Sequence, residues 1–181
     1  IKQAKELGIN ITAEAAPHHF TLTDESVAGY NTNMKMNPPL RAQKDVDAIK
    51  IGLKDGIIDV IATDHAPQSI DEKDIEFDRA ANGIIGLETA FSLSLRLVYE
   101  GIISLNTLIE RLSKNPAKIL GLTAKGSLLV GKDADITIID LNKEWVVDAR
   151  QSKSKSKNTP FDEWKMKGKV IKTIVGGKVV L

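Results

Sequence analysis

Residues 57–67 read IIDVIATDHAP. The first six residues of this stretch include five apolar ones, and the polar pair Asp64 and His65 follows. A short apolar run that ends in a polar loop is typical of a buried strand in a parallel sheet. The same order of a short β-type run and a polar loop occurs at residues 10–19 and 34–41. We therefore predict three strands, at residues 10–15, 34–36 and 57–62.

A helix is predicted between the last two strands. From Gln43 to Leu53 the apolar residues recur at helical spacing, and Gly56 marks the end. Strands that alternate with helices indicate an α/β fold with a parallel sheet. In such folds the reactive side chains gather at the carboxyl ends of the strands, where all three polar loops are expected.

Residues 86–121 are predicted to be helical. Leu87 belongs to the apolar face of the first predicted helix, which runs on to Val98. A second amphipathic helix follows. Asn115 before Pro116 then predicts the N-cap of a separate short helix that ends at Gly121.

After Lys125 the pattern changes to short β-type runs separated by glycines. Because Gly176-Gly177 lies between two valine-rich runs, it predicts a tight hairpin. We expect a small β module separate from the α/β part. The predicted strands of this module are residues 127–130, 135–140, 145–148, 170–175 and 178–181.

The composition narrows the classes of function. The 25 Lys and Arg residues nearly balance the 24 Asp and Glu residues, which gives no electrostatic case for binding nucleic acid or an acidic membrane. The absence of cysteine excludes disulfides and thiolate metal sites and fits a cytoplasmic protein. No apolar run approaches the roughly 20 residues that span a bilayer.

Residues 1–8 resemble the end of a helix that lacks a start, so we expect the chain to be cut from a longer one.

Asp64 is the strongest candidate for chemistry. A carboxylate at a strand exit can bind a divalent metal and accept a proton from metal-bound water, or it can cap a turn. His65 points the other way if the strand pleat continues, so we expect it to pack or to support a ligand. His18 and His19 are adjacent, follow a proline and lack the spacing expected of two ligands of one metal. The pattern therefore leaves a structural role open for them beside a ligand role.

Asn37 precedes two prolines, which hold it in an extended conformation. Its amide can both donate to and accept from an imide-like substrate. The alternative is a plain turn residue, and the sequence pattern by itself leaves both open.

Eight motifs follow one another along the chain. They are APHHF at 16–20, MNPPLR at 36–41, ATDHAP at 62–67, NGIIGLETA at 82–90, NPA at 115–117, GSL at 126–128, GKDAD at 131–135 and SKNTPF at 156–161. Together they resemble the motifs of the dihydroorotases, cyclic amidases of the amidohydrolase superfamily. The resemblance covers essentially the whole chain, and the MNPPLR and ATDHAP motifs are its most specific part.

The resemblance implies a (β/α)8 TIM-like barrel followed by a small β-sandwich. Residues 1–123 would form the C-terminal part of the barrel and residues 124–181 the sandwich module. It also implies a metal site, usually zinc, in which Asp64 is both a ligand and the proton shuttle. Asn37, Asn82 and Gly83 would contact the substrate. A His-x-His motif and the other ligands would lie upstream of Ile1.

Gln68 departs from the family pattern, which has a histidine that helps to bind the substrate carboxylate. Glutamine can donate a hydrogen bond there but cannot carry positive charge. Either affinity for a carboxylated substrate is weaker, or the substrate differs, or the protein is a non-catalytic relative.

The resemblance implies the reversible hydrolysis of dihydroorotate to N-carbamoyl-L-aspartate in pyrimidine biosynthesis. The alternatives are a related cyclic amidase such as allantoinase, and a non-catalytic subunit that serves as a scaffold for aspartate transcarbamoylase. The strand at residues 57–62 would lack its barrel partner, so we expect the chain to need its missing half or another copy of itself. Alone, the 181-residue chain is expected to hold no catalytic zinc and to be inactive.

Overall fold

The computed structural model describes residues 1–180, and its first two thirds alternate strands and helices as predicted. The elements of this part are α1 (Lys2–Glu6), β1 (Glu14–Ala15), α2 (Gln43–Lys54), β2 (Val60–Ile61), α3 (Ile70–Lys73), α4 (Ala90–Tyr99), α5 (Leu105–Ile109) and α6 (Asn115–Ile119). Short 3-10 turns lie between β1 and α2 at Pro17–Phe20, Asp24–Val27 and Thr32–Met34.

The strands β1 and β2 are parallel neighbours, which confirms the predicted parallel pairing, although each strand is shorter than predicted. Glu14 is opposite Val60, and Ala15 is opposite Ile61. Beyond β2, a parallel bridge joins His65 to Ile84. The loops that follow β1 and β2 and the segment around Ile84 therefore lie at one edge of the fold.

Helix α2 covers the sheet and confirms the predicted amphipathic pattern. Val46 and Leu53 are buried, and Ile49 is half-buried. Leu53 packs in a core cluster with Phe20 and with residues of β1, β2, α4 and α5. Gly56, with a φ of 76°, follows the helix end in the left-handed conformation that glycine adopts readily.

Three local predictions in this part were wrong. Residues 34–36 form no strand, because Asn31 accepts a hydrogen bond from the Asn33 N–H and starts a 3-10 turn. Leu87 precedes α4 and is 62% exposed. Asn115 caps no separate helix, because a π turn (Glu110–Lys114) joins α5 to α6. The Asn115 side chain instead donates to the Asp59 carbonyl at 2.8 Å.

The last third of the chain forms a three-stranded antiparallel sheet in the order β3-β4-β5. Its strands are β3 (Ile136–Val146), β4 (Lys165–Val175) and β5 (Lys178–Val179). The predicted hairpin is confirmed, since Gly176 and Gly177 connect β4 to β5 with φ values of 55° and 79°.

Two strand predictions in this module need correction. Residues 135–140 and 145–148 are not two strands, because β3 runs through both with irregular register between Asp140 and Glu144. Residues 127–130 form no strand. Leu128 and Leu129 are 79% and 70% exposed, and the Ser127 hydroxyl accepts from the Leu129 N–H in a local turn.

The β module and the α/β part share one core cluster. Phe161 and Met166 of the module pack with Met36, Leu40 and Ile84 of the α/β part. The Ser92 hydroxyl of α4 also donates to the Gly168 carbonyl of β4. The described residues contain one sheet of this module, so the second layer of a sandwich and the boundary at residue 123 stay predictions. No helix within residues 1–180 is long and apolar enough to cross a membrane.

Candidate active site

His18 lies in the 3-10 turn that follows β1 and is 2% exposed. Its Nε2 atom has no hydrogen-bond partner among residues 1–180 and lies 4.0 Å from the Asp64 Oδ2 atom. Burial, together with the neighbouring His19, lowers the pKa of His18 to about 3. The imidazole is therefore neutral at neutral pH, and in the tautomer that carries its proton on Nδ1 the Nε2 lone pair can serve a metal ion.

Asp64 follows β2 at the same edge of the sheet. Its φ of 48° places it in the left-handed region, which aspartate tolerates better than most residues. The side chain is 52% exposed, and its carboxylate accepts no hydrogen bond from the part of the chain that the structure describes. The turn-capping alternative is therefore not realised, and the carboxylate can bind a metal or accept a proton.

His19 has a different role from its neighbour. Its Nε2 donates to the Pro38 carbonyl at 2.9 Å, which ties the 36–41 loop to the turn that carries His18. Asn37 lies in this loop and is exposed. His19 thus fills the structural alternative that the sequence left open, and Asn37 is held beside the turn of His18.

Gln68 and Asn82 are brought together directly. The Gln68 Nε2 donates to the Asn82 carbonyl at 3.0 Å, and Asn82 is exposed. In contrast, both polar backbone atoms of Gly83 are bonded within the protein. The Gly83 N–H donates to the Lys35 carbonyl at 2.8 Å, and its carbonyl accepts from Asn158 at 3.1 Å. A substrate contact in this loop therefore remains a prediction for Asn82 rather than for the Gly83 peptide.

Gly83 also permits a close approach between the two loops. Its φ is 94°, and a Cβ atom built there would lie 2.5 Å from the Ala66 Cβ atom.

We expect Gly83→Ala to lower the free energy of unfolding by about 3 kcal/mol, through backbone strain and overpacking. Gly101→Ala is the matched control, because Gly101 has a φ of 69° but open space around it. Gly101→Ala should lower the free energy of unfolding, measured by urea denaturation, by only about 1 kcal/mol. Equal losses would show that the contact with Ala66 is unimportant.

His65 supports the loop rather than the candidate metal pair. Its Nδ1 accepts from the Gly86 N–H at 3.0 Å, so in the neutral ring the proton lies on Nε2. A cavity of about 730 Å³ touches His65, but its lining includes neither Asp64 nor Asn37. That cavity lies between α4 and the β module and is separate from the site.

Sequence reasoning missed two residues of this region, Asn158 and Lys73, and did not single out His18 as a ligand. His18 could have been found because it follows β1 as Asp64 follows β2. Asn158 is buried and donates to the Ala66 and Gly83 carbonyls at 2.9 and 3.1 Å. It also accepts from the Gln68 N–H at 3.2 Å. Lys73 is buried beneath the Asn82 loop. Neither Asn158 nor Lys73 carries a local signal of this role.

His18 and Asp64 fit part of a metal site. Within residues 1–180, no cluster of three or more His, Cys, Asp or Glu side chains could hold a metal ion. A catalytic zinc takes about three protein ligands and keeps one position open. The orphaned nitrogen of His18 and the free carboxylate of Asp64 can supply two of these.

Comparison with known proteins agrees with this geometry. The amidohydrolase family profile matches residues 1–180. The chain therefore belongs to the amidohydrolase family.

Similar proteins within that family are dihydroorotases. A dihydroorotase of Citrifermentans bemidjiense is 60% identical over 180 residues, which are 99% of this chain and 42% of the relative. A dihydroorotase of Geobacter metallireducens is 58% identical over the same coverage. The chain thus spans about 42% of the length of these relatives and matches their C-terminal part.

Solved structures show the same fold. An L-hydantoinase (dihydropyrimidinase) from Arthrobacter aurescens superposes with a TM-score of 0.94 at 34% identity, covering 99% of this chain and 41% of the other. A dihydropyrimidinase from Brevibacillus agri gives a TM-score of 0.91 at 26% identity with the same coverage.

Proposed function

We propose that the intact protein to which this chain belongs is a dihydroorotase. It would hydrolyse the cyclic amide of dihydroorotate reversibly to N-carbamoyl-L-aspartate, a reaction of pyrimidine biosynthesis. The match to a dihydroorotase at 60% identity across 180 residues carries this proposal. The proximity of His18 and Asp64 supports it. The C–N bond of a cyclic amide is stable, so its hydrolysis needs an activated water, which a metal bound by these side chains would supply.

We further propose that zinc is the cofactor and that His18 and Asp64 hold it together with ligands from the rest of the intact protein. A bound zinc ion would supply Lewis acidity toward the amide carbonyl and toward the attacking water. The neutral, buried imidazole of His18 suits this ion, because nitrogen ligands bind it in their uncharged form.

The side chains of this chain would transfer the proton from the attacking water to the leaving nitrogen and would orient the substrate. The Asp64 carboxylate would accept the proton of the attacking water as the carbon–oxygen bond forms. The carbon–nitrogen bond then breaks, and Asp64 delivers the same proton to the leaving nitrogen. The Asn37 amide would pair with the donor and acceptor groups of the ring, and Gln68 and Asn82 would face its carboxylate.

An assay of the purified intact protein tests the proposal. Hydrolysis of dihydroorotate should exceed hydrolysis of hydantoin and dihydrouracil, and removal of the metal with a chelator should abolish it. Preferred hydrolysis of hydantoin would support a related cyclic amidase instead, a second candidate that the likeness to the L-hydantoinase of Arthrobacter aurescens favours.

A protein that turns over none of these substrates would support the scaffold alternative, which Gln68 in place of the family histidine favours. Aspartate transcarbamoylase would then be the partner to test. For either function we propose that the intact protein is cytoplasmic and forms a homo-oligomer. Size-exclusion chromatography with light scattering measures the oligomeric state.

Gln68 provides a test of substrate binding. We expect Gln68→His to lower KM for dihydroorotate several-fold below about pH 6.5, where the imidazole is protonated and can pair with the substrate carboxylate. The gain should disappear as the pH rises above the pKa of the new histidine. Gln68→Glu is the matched control, because its negative charge should raise KM. An unchanged KM in both variants across the pH range would exclude contact at this position.

A further inference from the structure

Lys73 is the last residue of α3 and is only 6% exposed. Its Nζ atom lies within 4 Å of no carboxylate among residues 1–180. The ammonium instead donates to three backbone carbonyls, those of Thr32 at 2.7 Å, Ala81 at 2.9 Å and Gly83 at 3.2 Å. All three of its N–H donors are thereby satisfied.

A buried cation without a counter-ion is costly to the fold. Removing an ammonium from water costs several kcal/mol, which hydrogen bonds to neutral carbonyls offset only in part. In agreement, burial and the nearby charge of Lys35 lower the pKa of Lys73 to about 8. An apolar side chain of similar length would leave the Ala81 carbonyl without its partner, so Lys73 holds these carbonyls at the cost of its own desolvation.

The positions of the three carbonyls indicate the role of the buried Lys73 ammonium. Ala81 and Gly83 flank Asn82, and Thr32 lies in the turn that leads into the loop of Asn37. The ammonium therefore joins the two loops that carry the proposed substrate contacts. Its own backbone carbonyl accepts from the Thr32 hydroxyl at 2.7 Å, which doubles the connection.

The peptide between Ala81 and Asn82 is trans and planar, so its C=O and N–H groups point in opposite directions. When the Ala81 carbonyl is directed at Lys73, the Asn82 N–H is directed away from it. This N–H has no hydrogen-bond partner in the described chain, whereas the Asn82 carbonyl is taken by Gln68. Asn82 is exposed, and its N–H is a donor without a partner among residues 1–180, on the side of the peptide opposite to Lys73.

We infer that Lys73 is a positioning residue, which aims the Asn82 N–H at an oxygen of a carboxylated cyclic amide and fixes its separation from Asn37. The inference rests on the proposed function, since it assumes that these loops bind such a substrate. Lys73 itself touches no reacting atom.

The test is steady-state kinetics of the intact, metal-loaded protein with Lys73→Met, which keeps the length of the side chain and removes the three donors. KM for dihydroorotate should rise about tenfold, the loss expected for one hydrogen bond to a charged ligand group. The kcat should stay within about threefold and the zinc content should be unchanged, because the interaction concerns binding rather than the chemical step.

Lys35→Met is the matched control. The Lys35 ammonium also holds two carbonyls of this loop, Asp78 at 2.9 Å and Ala80 at 2.7 Å, but neither flanks Asn82. It should change KM by less than about twofold, as expected for contacts that do not reach the substrate. An equal rise in KM for both variants would overturn the inference, because it would show a general loosening of the loop.

A lower melting temperature of Lys73→Met with an unchanged KM would also overturn it. If this variant does not fold, Lys73→Gln, which keeps a polar donor, is measured in the same way. Failure of both to fold would assign Lys73 to stability and reject positioning. Absence of hydrolysis by the wild-type protein would instead reject the proposed function, so the two failures are distinguishable.

Discussion

Replacement of Asp64 by asparagine in the intact protein is expected to lower kcat for dihydroorotate hydrolysis by at least about 10³-fold. The amide is nearly isosteric with the carboxylate but can neither accept the proton of the attacking water nor carry the negative charge that a metal ion favours. The fold should be retained, because the Asp64 side chain is 52% exposed and makes no hydrogen bond within the described residues.

The measurement is steady-state kinetics beside circular dichroism and thermal unfolding of the same preparation. Asp55→Asn is the matched control. Asp55 is an exposed carboxylate at the end of α2, beyond the opposite end of β2. It should leave kcat within about twofold of wild type, as surface substitutions usually do. Near-wild-type activity of Asp64→Asn would remove Asp64 from the mechanism.

His18→Gln is expected to weaken zinc binding to the intact protein by more than about 100-fold and to reduce turnover in parallel. The physical reason is the loss of the buried Nε2 lone pair that faces Asp64 across 4.0 Å. Glutamine fills much of the same volume, so the loss reports on the ligand rather than on a cavity. Metal analysis after dialysis against a weak chelator measures it directly.

The adjacent histidine supplies the control for this experiment. His19→Gln should keep its zinc, because the His19 ring bonds to the Pro38 carbonyl and not to the metal pair. It should instead raise KM modestly by loosening the loop of Asn37. Equal zinc loss in both variants, or full zinc content in His18→Gln, would contradict the assignment of His18 as a ligand.

Local sequence patterns determined much of this fold. The β-type runs at residues 10–15 and 57–62 predicted β1 and β2, and the amphipathic spacing of Gln43–Leu53 predicted α2 between them. The glycine pair at residues 176–177 predicted the hairpin. These features depend on side-chain periodicity and backbone preference over a few residues, which are visible in one segment at a time. For the same reason, Asp64 was recognisable as a residue that leaves a buried strand.

The tertiary structure alone decided which of two adjacent histidines faces Asp64. Both share one local sequence, and only the pairing of β1 with β2 buries His18 beside the carboxylate while His19 turns to Pro38. It also decided the roles of Lys73 and Asn158, which meet at the Gly83 carbonyl although they are 85 residues apart along the sequence. Contacts between distant segments depend on how the chain packs, and no local pattern encodes them.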